Sequence, residues 1–300
     1  MDPLAASIVI SLASAAAFAC NSLIGKVLLR YRICDAGLVT WGTAAATALV
    51  SAVVLSITRP AFPVEIWPML LALAAVLLTA GWLVAHALQE GDPSTVTPLL
   101  GAKVPLTALL AFFVLGEVHG VLVYVAVLCA AAAIVFFGLG RQEKAQGSHG
   151  HGPLVPIVYT CSAAGLYAVA DQIAKLCLAH TSSWALVLWS SLTIGLLASP
   201  MLLHPHYRQY RVGLPDLLLL LGRGMLLVVT VGLLYIAYGL ADGVTIPNVI
   251  LSARGLLVLV AAFLLGRIQK VPMERQSNAV YVLRAIGTVL FLVSVLLVSL

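Results

Sequence analysis

The chain contains ten apolar runs of about 20 residues, separated by short polar breaks, and these constrain its fold more than any other feature. A helix of that length spans the roughly 30 Å hydrocarbon core of a bilayer. The runs are continuously apolar rather than alternating, which favours helices over a β-barrel. We therefore predict an all-α membrane protein with transmembrane helices at 4–29, 37–57, 66–89, 94–115, 120–139, 154–179, 184–203, 215–240, 244–265 and 279–299.

The composition agrees with a chain that is solvated by lipid. Of 300 residues, 62% are hydrophobic and only 9% are charged, whereas soluble domains use about 25% charged residues. The net charge of +5 does not indicate nucleic-acid binding, because the basic residues lie in short loops or singly within apolar runs. We expect no nucleic-acid partner and no cofactor or metal. The expected location is the bacterial inner (cell) membrane.

The two halves of the chain resemble each other in sequence. Residues 91–117 align with 241–267 at an offset of 150, and at an offset of 149 Lys26 falls on Lys175. Each half then has five helices, and an odd number of helices forces the halves into opposite orientations across the membrane. Such inverted repeats are typical of secondary transporters, which bind substrate at the repeat interface near the midplane.

The longest polar stretch, RQEKAQGSHGHG, begins at Arg141 and lies close to the midpoint of the chain. We interpret it as a linker between the halves, since its two histidines are typical of a solvated spacer rather than a metal site. The predicted division is a first five-helix repeat at 1–140, a polar linker at 141–153 and a second five-helix repeat at 154–300.

The segment PLLGAKVPLTALLAFFVLGE, residues 98–117, carries a family resemblance. It is similar to the end of the fourth helix in the drug/metabolite transporter superfamily, EamA type, and the arrangement of two five-helix halves resembles that family too. The resemblance implies a ten-helix transporter and names no substrate. The second half departs from the pattern, because Arg267 stands where the family has an acidic residue.

The basic residues of the loops bear on orientation. The loops after even-numbered helices contain only Arg59, so the positive-inside rule places the odd-numbered loops in the cytoplasm and both termini outside. Ten-helix relatives usually have both termini inside, so the two criteria conflict, and we favour the charge count. The basic residues of the odd-numbered loops are Arg30, Arg32, Arg141, Lys144, Arg208, Arg211, Arg267, Lys270 and Arg275.

Two cations lie deep within predicted helices. Lys103 and Arg254 are roughly 12–14 Å from the helix ends at 1.5 Å per residue, at near-equivalent places in the two repeats. A charge at this depth needs water, an anion or a buried partner. We expect both to point into one central cavity and hold the anionic part of a substrate; the alternative is a structural ion pair. The remaining intramembrane cations lie nearer to helix ends, where snorkelling to the interface is expected: Lys26, Lys175, Arg223 and Arg284.

Asp171 is the one acidic residue well inside a predicted helix, four residues before Lys175 on the same face. One interpretation is an ion pair within the helix that neutralises both charges. The other is proton coupling, in which alternating access changes the protonation of the carboxyl group.

Further polar and aromatic residues are candidates for substrate contact. Asn21 and Gln172 lie on the first and sixth helices and would either hydrogen-bond substrate or join helices. Trp82 with His86 on the third helix, and Tyr235 with Tyr238 on the eighth, would line a cavity or form an interfacial belt. Prolines at 98, 105 and 247 are expected to bend the fourth and ninth helices.

These features predict a secondary transporter that moves a small, anionic or amphiphilic metabolite by alternating access, with a proton as a possible coupling ion. A flippase for a lipid-linked phosphate or sugar is a second hypothesis. A polytopic membrane enzyme would need a cluster such as HExxH or paired intramembrane carboxylates, and the sequence has neither. We therefore expect no enzyme. The protein would act in the bilayer as a monomer or homodimer.

Overall fold

The computed structural model describes residues 2–33, 35–91, 96–97, 99–139, 154–202, 207, 212–258, 260–261 and 278–299. These residues form helices, turns and short loops and contain no strand, which confirms the all-α class. The linker 141–153, Pro98 and Arg267 lie outside the described residues, and so does the side chain of Arg284.

Ten helices of the described residues follow the order of the ten predicted runs. Short 3₁₀ or π-helical turns adjoin several of them, at Leu28–Arg32, Val64–Ile66, Leu100–Ala102 and Ala111–Leu115. The helices are α1 (Pro3–Val27), α2 (Ala36–Thr58), α3 (Trp67–Glu90), α4 (Lys103–Leu110), α5 (Val121–Leu139), α6 (Val155–Leu178), α7 (Ser183–Leu202), α8 (Leu214–Leu240), α9 (Thr245–Leu251) and α10 (Asn278–Ser299).

Local capping explains several helix ends. Asp2 accepts a hydrogen bond from the Leu4 amide, and Asp35 accepts one from the Leu38 amide at 2.7 Å, so each acid satisfies a free donor at a helix start. The π-helical turn after α4 ends at Gly116, which has φ +68°, a left-handed conformation that costs glycine little.

Five helical segments of the described chain are long and apolar enough to cross a membrane: Pro3–Val27, Ala36–Thr58, Val64–Glu90, Ser183–Met201 and Leu214–Leu240. Large apolar side chains also face outward, among them Phe113 with 74% of its surface exposed and Val121 with 77%. Water would penalise such a surface and acyl chains would not. These helices therefore indicate a membrane protein.

The helices pack in pairs that join the two halves of the chain. The most extensive pairs are α1 with α8, α3 with α6, α2 with α7, and α5 with α10; smaller contacts join α4 to α6 and α1 to α9. The set of pairs is symmetric between the two halves. If α1 to α5 are exchanged with α6 to α10 in order, the same pairs are obtained.

Small residues allow the helices to approach closely. A Cβ added at Gly195 of α7 would overlap Ala48 of α2, and one added at Gly224 of α8 would lie 2.7 Å from Ala46. Close backbone approach through small residues is the usual means of packing helices within a bilayer. It brings α7 and α8 into close contact with α2.

Candidate functional site

A cavity of about 170 Å³ lies between the two halves. Its wall combines apolar side chains with hydroxyl, amide and charged groups from α1, α2, α3, α6, α7 and α8. Residues at the interruptions of two further helices complete it. The lining residues include Phe18, Asn21, Ser22, Thr40, Thr43, Thr47, Leu77, Gly81, Leu88, Lys103, Tyr167, Asp171, Ser190, Ser191, Ile194, Arg223, Leu227, Val231, Tyr235 and Arg254.

Two interrupted helices deliver cations to this cavity. Lys103 is the first residue of α4, directly after the 3₁₀ turn Leu100–Ala102. Arg254 opens the short helical segment 254–258, directly after the turn at residues 252–253 that ends α9. Both side chains line the cavity, and both residues are about 95% buried, with 5% and 6% exposure. In membrane proteins, interrupted helices are tolerated where the non-helical backbone is buried in protein or lines a cavity.

The interruptions have different local causes. The ring of Pro105 cannot be accommodated against the carbonyl four residues earlier, at Gly101, which falls within the 3₁₀ turn. Pro247 lies in the first turn of α9, where its missing N–H costs little, so it does not account for the end of this helix at Leu251. The break in α9 comes five residues later, where the Ser252 hydroxyl donates to the Val249 carbonyl.

Asp171 forms the centre of a buried hydrogen-bond network. Its Oδ2 lies 3.0 Å from Lys103 Nζ and also accepts from Asn248 Nδ2 at 3.0 Å and from the Thr107 hydroxyl at 3.3 Å. Asn248 Nδ2 also lies 3.0 Å from the hydroxyl of Tyr238. The network joins α6 to α4, α8 and α9, and the ion pair offsets the charge of Lys103. For Lys103 the structure therefore shows the alternative of a structural ion pair, with Asp171 in place of the expected anionic substrate.

Arg254 has a different environment. Its guanidinium carbon lies 5.3 Å from the centroid of the Phe18 ring, a distance that allows a cation–π contact. Its buried Nε has no hydrogen-bond partner. Among the described residues, no carboxylate lies within salt-bridge distance of Arg254. The cavity therefore holds a buried cation with unused donors.

Arg223 is a second arginine on the cavity wall. Its Nε donates to Asn21 Oδ1 at 3.3 Å, while Asn21 Nδ2 donates to the Arg223 carbonyl at 3.2 Å. The guanidinium lies against the backbone of Gly25, where an added Cβ would be 3.1 Å from it. One terminal nitrogen of Arg223 is buried without a partner. Asn21 and Gly25 thus hold a guanidinium at the cavity with a free donor.

The cavity extends toward one end of the molecule. Lys26 near the end of α1 donates to the carbonyls of Leu88 and Gly91 at the end of α3, so these two helices end on the same side. Cavity residues come from that end, including Ser22 of α1, Thr40 at the start of α2 and Leu88 of α3. We call this the odd-loop side, because the odd-numbered helices α1 and α3 end on it.

The opposite end, the even-loop side, is closed by contacts between the halves. The Glu117 carboxylate accepts hydrogen bonds from the Val244 amide at 2.9 Å and from the Thr245 hydroxyl at 2.9 Å. Burial acts to raise the pKa of Glu117. Its hydrogen bonds, including the one with His119, outweigh burial and hold this pKa below its usual value. The Phe62 and Trp189 rings also meet edge to face, with centroids 4.9 Å apart.

Lys175 corresponds to Lys26 in position and in contacts. Its Nζ lies 3.1 Å from Asp242 Oδ1 and donates to the Tyr238 carbonyl at 3.3 Å, at the end of α8. The expected ion pair between Asp171 and Lys175 is therefore wrong, since each has another partner. Lys26 and Lys175 both bind helix-end oxygens, which attract cations, and their snorkelling to the interface stays a prediction.

The structure separates the remaining candidates. Asn21 and Tyr235 line the cavity together with Lys103, Asp171 and Arg254. Four predicted substrate contacts and the predicted proton-coupling Lys175 do not line it: Gln172, Trp82, His86, Tyr238 and Lys175.

Each of the four predicted substrate-contact residues that do not line the cavity has a partner elsewhere in the protein. Gln172 donates to the Thr107 carbonyl at 3.2 Å, and Tyr238 bonds Asn248. The Trp82 and His86 rings meet edge to face with centroids 4.4 Å apart, and the His86 ring also lies 5.7 Å from the Tyr159 ring of α6. The contacts of Gln172, Tyr238 and His86 join different helices, and none of these side chains lines the cavity.

Sequence reasoning missed two contributors to the cavity. Arg223 was expected near a helix end, although α8 begins at Leu214 and places it more than two turns inside. Thr40, Thr43 and Thr47 of α2 line the cavity on one helix face, and their spacing of three and four residues was a visible signal of such a stripe.

Comparison with known proteins shows the fold alone. No protein-family model matches the chain, and no curated protein matches it. Among solved structures 26 chains match. One of them, described only as the crystal structure of a protein, superposes with a TM-score of 0.71 at 14% sequence identity, covering 98% of this chain and 97% of that chain.

Proposed function

We propose that this protein is a multi-pass membrane transporter that moves a small anionic or amphiphilic metabolite by alternating access. The observation that carries the proposal is Arg254, a buried cation with an unused donor on the wall of a central cavity. An isolated buried charge is costly, and an anionic ligand would supply the missing partner.

Inverted repeats are the proposed architecture, with all ten helices crossing the membrane. The symmetric pairing of helices between the two halves supports the inverted-repeat architecture. The equivalent helices α2 and α7 run antiparallel. Phe62, which follows α2, contacts Trp189 near the start of α7. Ala48, which lies earlier in α2, contacts Gly195, which lies later in α7. The matching contacts of Lys26 and Lys175 support the same relation.

The position of the cavity supports alternating access. Its residues cluster toward the odd-loop side, and the even-loop side is closed by Glu117 and by the Phe62–Trp189 contact. In an inverted pair of repeats, exchange of the two conformations would open the even-loop side and close the other. Both closing contacts link one half to the other, so they would break in that exchange.

Ligand binding by the purified full-length protein tests the proposal. Thermal shifts against organic anions, organic cations and neutral sugars should show stabilisation by anions, and liposomes containing the protein should take up a stabilising anion saturably. Arg254→Gln should weaken binding by about 10- to 100-fold, because a charge-assisted hydrogen bond is worth about 1.5–3 kcal/mol. Stabilisation by cations alone, or binding without any uptake, would contradict the proposal.

A cavity-filling variant provides a matched comparison. A Cβ at Gly81 would meet no atom within 4 Å, and Gly81 lines the cavity. Gly81→Leu should therefore abolish uptake by occupying the ligand space. Gly165 is equally unobstructed but does not line the cavity, so Gly165→Leu should transport normally. Equal uptake by both variants would show that this cavity is not the transport site.

A further inference from the structure

The charges on the cavity wall do not balance. Three cations line it, Lys103, Arg223 and Arg254, and among the described lining residues only Asp171 is acidic. Three positive charges against one negative charge leave an excess of two. From this excess we infer that the ligand is a small organic dianion, a phosphate monoester or a dicarboxylate, bound by Arg223 and Arg254. The inference rests on the transport function proposed above.

Lys103 is the cation whose charge is already offset. Its ammonium lies 3.0 Å from Asp171 Oδ2 and 3.4 Å from Oδ1. Because Asn248 and Thr107 also donate to this carboxylate, the ion pair is fixed in place. The pair contributes almost no net charge to the cavity, and the excess belongs to the two arginines.

Both arginines have unused hydrogen-bonding capacity. Arg254 Nε and one terminal nitrogen of Arg223 are buried without partners. Neither guanidinium forms a salt bridge with any residue that the structure describes. Planar guanidinium groups bind carboxylate and phosphate through paired hydrogen bonds, so two of them suit a group or pair of groups with two negative charges.

The rest of the wall restricts the organic part of the ligand. Leu77, Ile194, Leu227 and Val231 give it apolar surface, and Phe18 lies beside Arg254. The volume of about 170 Å³ is below the roughly 300 Å³ at which drug-sized pockets begin. The ligand is therefore compact, with a dianionic end and a short apolar part.

Matched pairs of probes test the charge directly. Phenyl phosphate would be compared with methyl phenyl phosphate, and glutarate with its monomethyl ester, by calorimetry on the full-length protein at pH 8 and low salt. At least one dianion should bind 10-fold or more tightly than its monoanionic partner, and the pair that shows this preference distinguishes phosphate from dicarboxylate recognition. Equal affinities within both pairs would overturn the dianion inference while leaving an anion transporter in place. Absence of binding by all four probes would overturn the inference as well. In that case stabilisation by other anions in the wider panel would still support the proposed function.

Substitutions test whether Arg223 and Arg254 cause the preference for a dianion over a monoanion. Arg223→Gln and Arg254→Gln should each reduce dianion affinity by about 10-fold or more, with a smaller effect on the monoanion, so that the ratio between partners falls toward one. Arg254→Lys keeps the positive charge and should therefore keep most of the preference for the dianion. This variant separates loss of charge from misfolding as the cause of weaker binding in Arg254→Gln. Arg59→Gln removes an exposed cation and should change neither affinity. A preference that survives in both Gln variants would overturn the assignment.

Discussion

The ammonium of Lys103 lies 3.0 Å from Oδ2 of Asp171, and both residues are 5% exposed. Removing one member of such a pair leaves the other charge buried and unpaired, which costs about 3–5 kcal/mol in proteins. Asp171→Asn is therefore expected to lower the free energy of unfolding by an amount of that order. Denaturant unfolding in detergent would measure it.

Adding Lys103→Met to Asp171→Asn should restore much of the lost free energy of unfolding. In the double variant Lys103→Met with Asp171→Asn no unpaired charge remains, so the two effects should not add. Asp242→Asn is the matched control, because the Asp242 side chain is fully exposed and Asn tolerates its positive φ of 50°. If Asp171→Asn were as stable as the control, the ion pair would not stabilise the fold.

Gly25 is expected to control the position of Arg223 without touching the ligand. A Cβ at this position would lie 3.1 Å from the guanidinium, closer than ordinary contact, so Gly25→Ala should displace Arg223 from α1. We expect anion affinity to fall several-fold while the melting temperature changes little. Gly239→Ala is the control, since its added Cβ meets nothing within 4 Å. Unchanged affinity in Gly25→Ala would show that Arg223 is not positioned by this contact.

Glu117 is expected to make closure of the even-loop side depend on pH. Its pKa lies below its usual value of 4.5, so the stabilisation from its hydrogen bonds is complete above that value and is lost as pH falls through the lower folded-state pKa. Glu117→Gln should cost about 1–3 kcal/mol near neutral pH. Melting curves of both proteins from pH 7 to pH 3 would show the difference shrinking in acid. A constant difference across that range would contradict this role.

Orientation remains a prediction from the loop charges. A cysteine at Ser148, which lies outside the described residues, should be protected from an impermeant reagent in intact cells. A cysteine at His180, in the loop between α6 and α7, should be labelled. Both would be placed in a variant lacking the five native cysteines. The reverse pattern would instead give the orientation usual for the resembled family.

Several features were predictable because they depend on local sequence. Apolar runs gave the positions of the helices, since burial of backbone groups in lipid requires regular helices of a fixed length. Counting residues placed Lys103 and Arg254 well inside the predicted apolar runs. Both side chains line the cavity, but Lys103 is paired with Asp171 there. The similarity of the halves led to the expectation of equivalent lysines, and Lys26 and Lys175 do make equivalent contacts.

Only the tertiary structure decided which charges meet. Asp171 and Lys175 are neighbours on one helix, yet each binds a group more than sixty residues away in the sequence, Lys103 and Asp242. Helix periodicity specifies which face a residue occupies and carries no information on what packs against that face. Sequence therefore determined the helices and which of them carry charges. Packing determined the pairing, since a buried charge takes whichever partner the neighbouring helices bring within hydrogen-bonding distance.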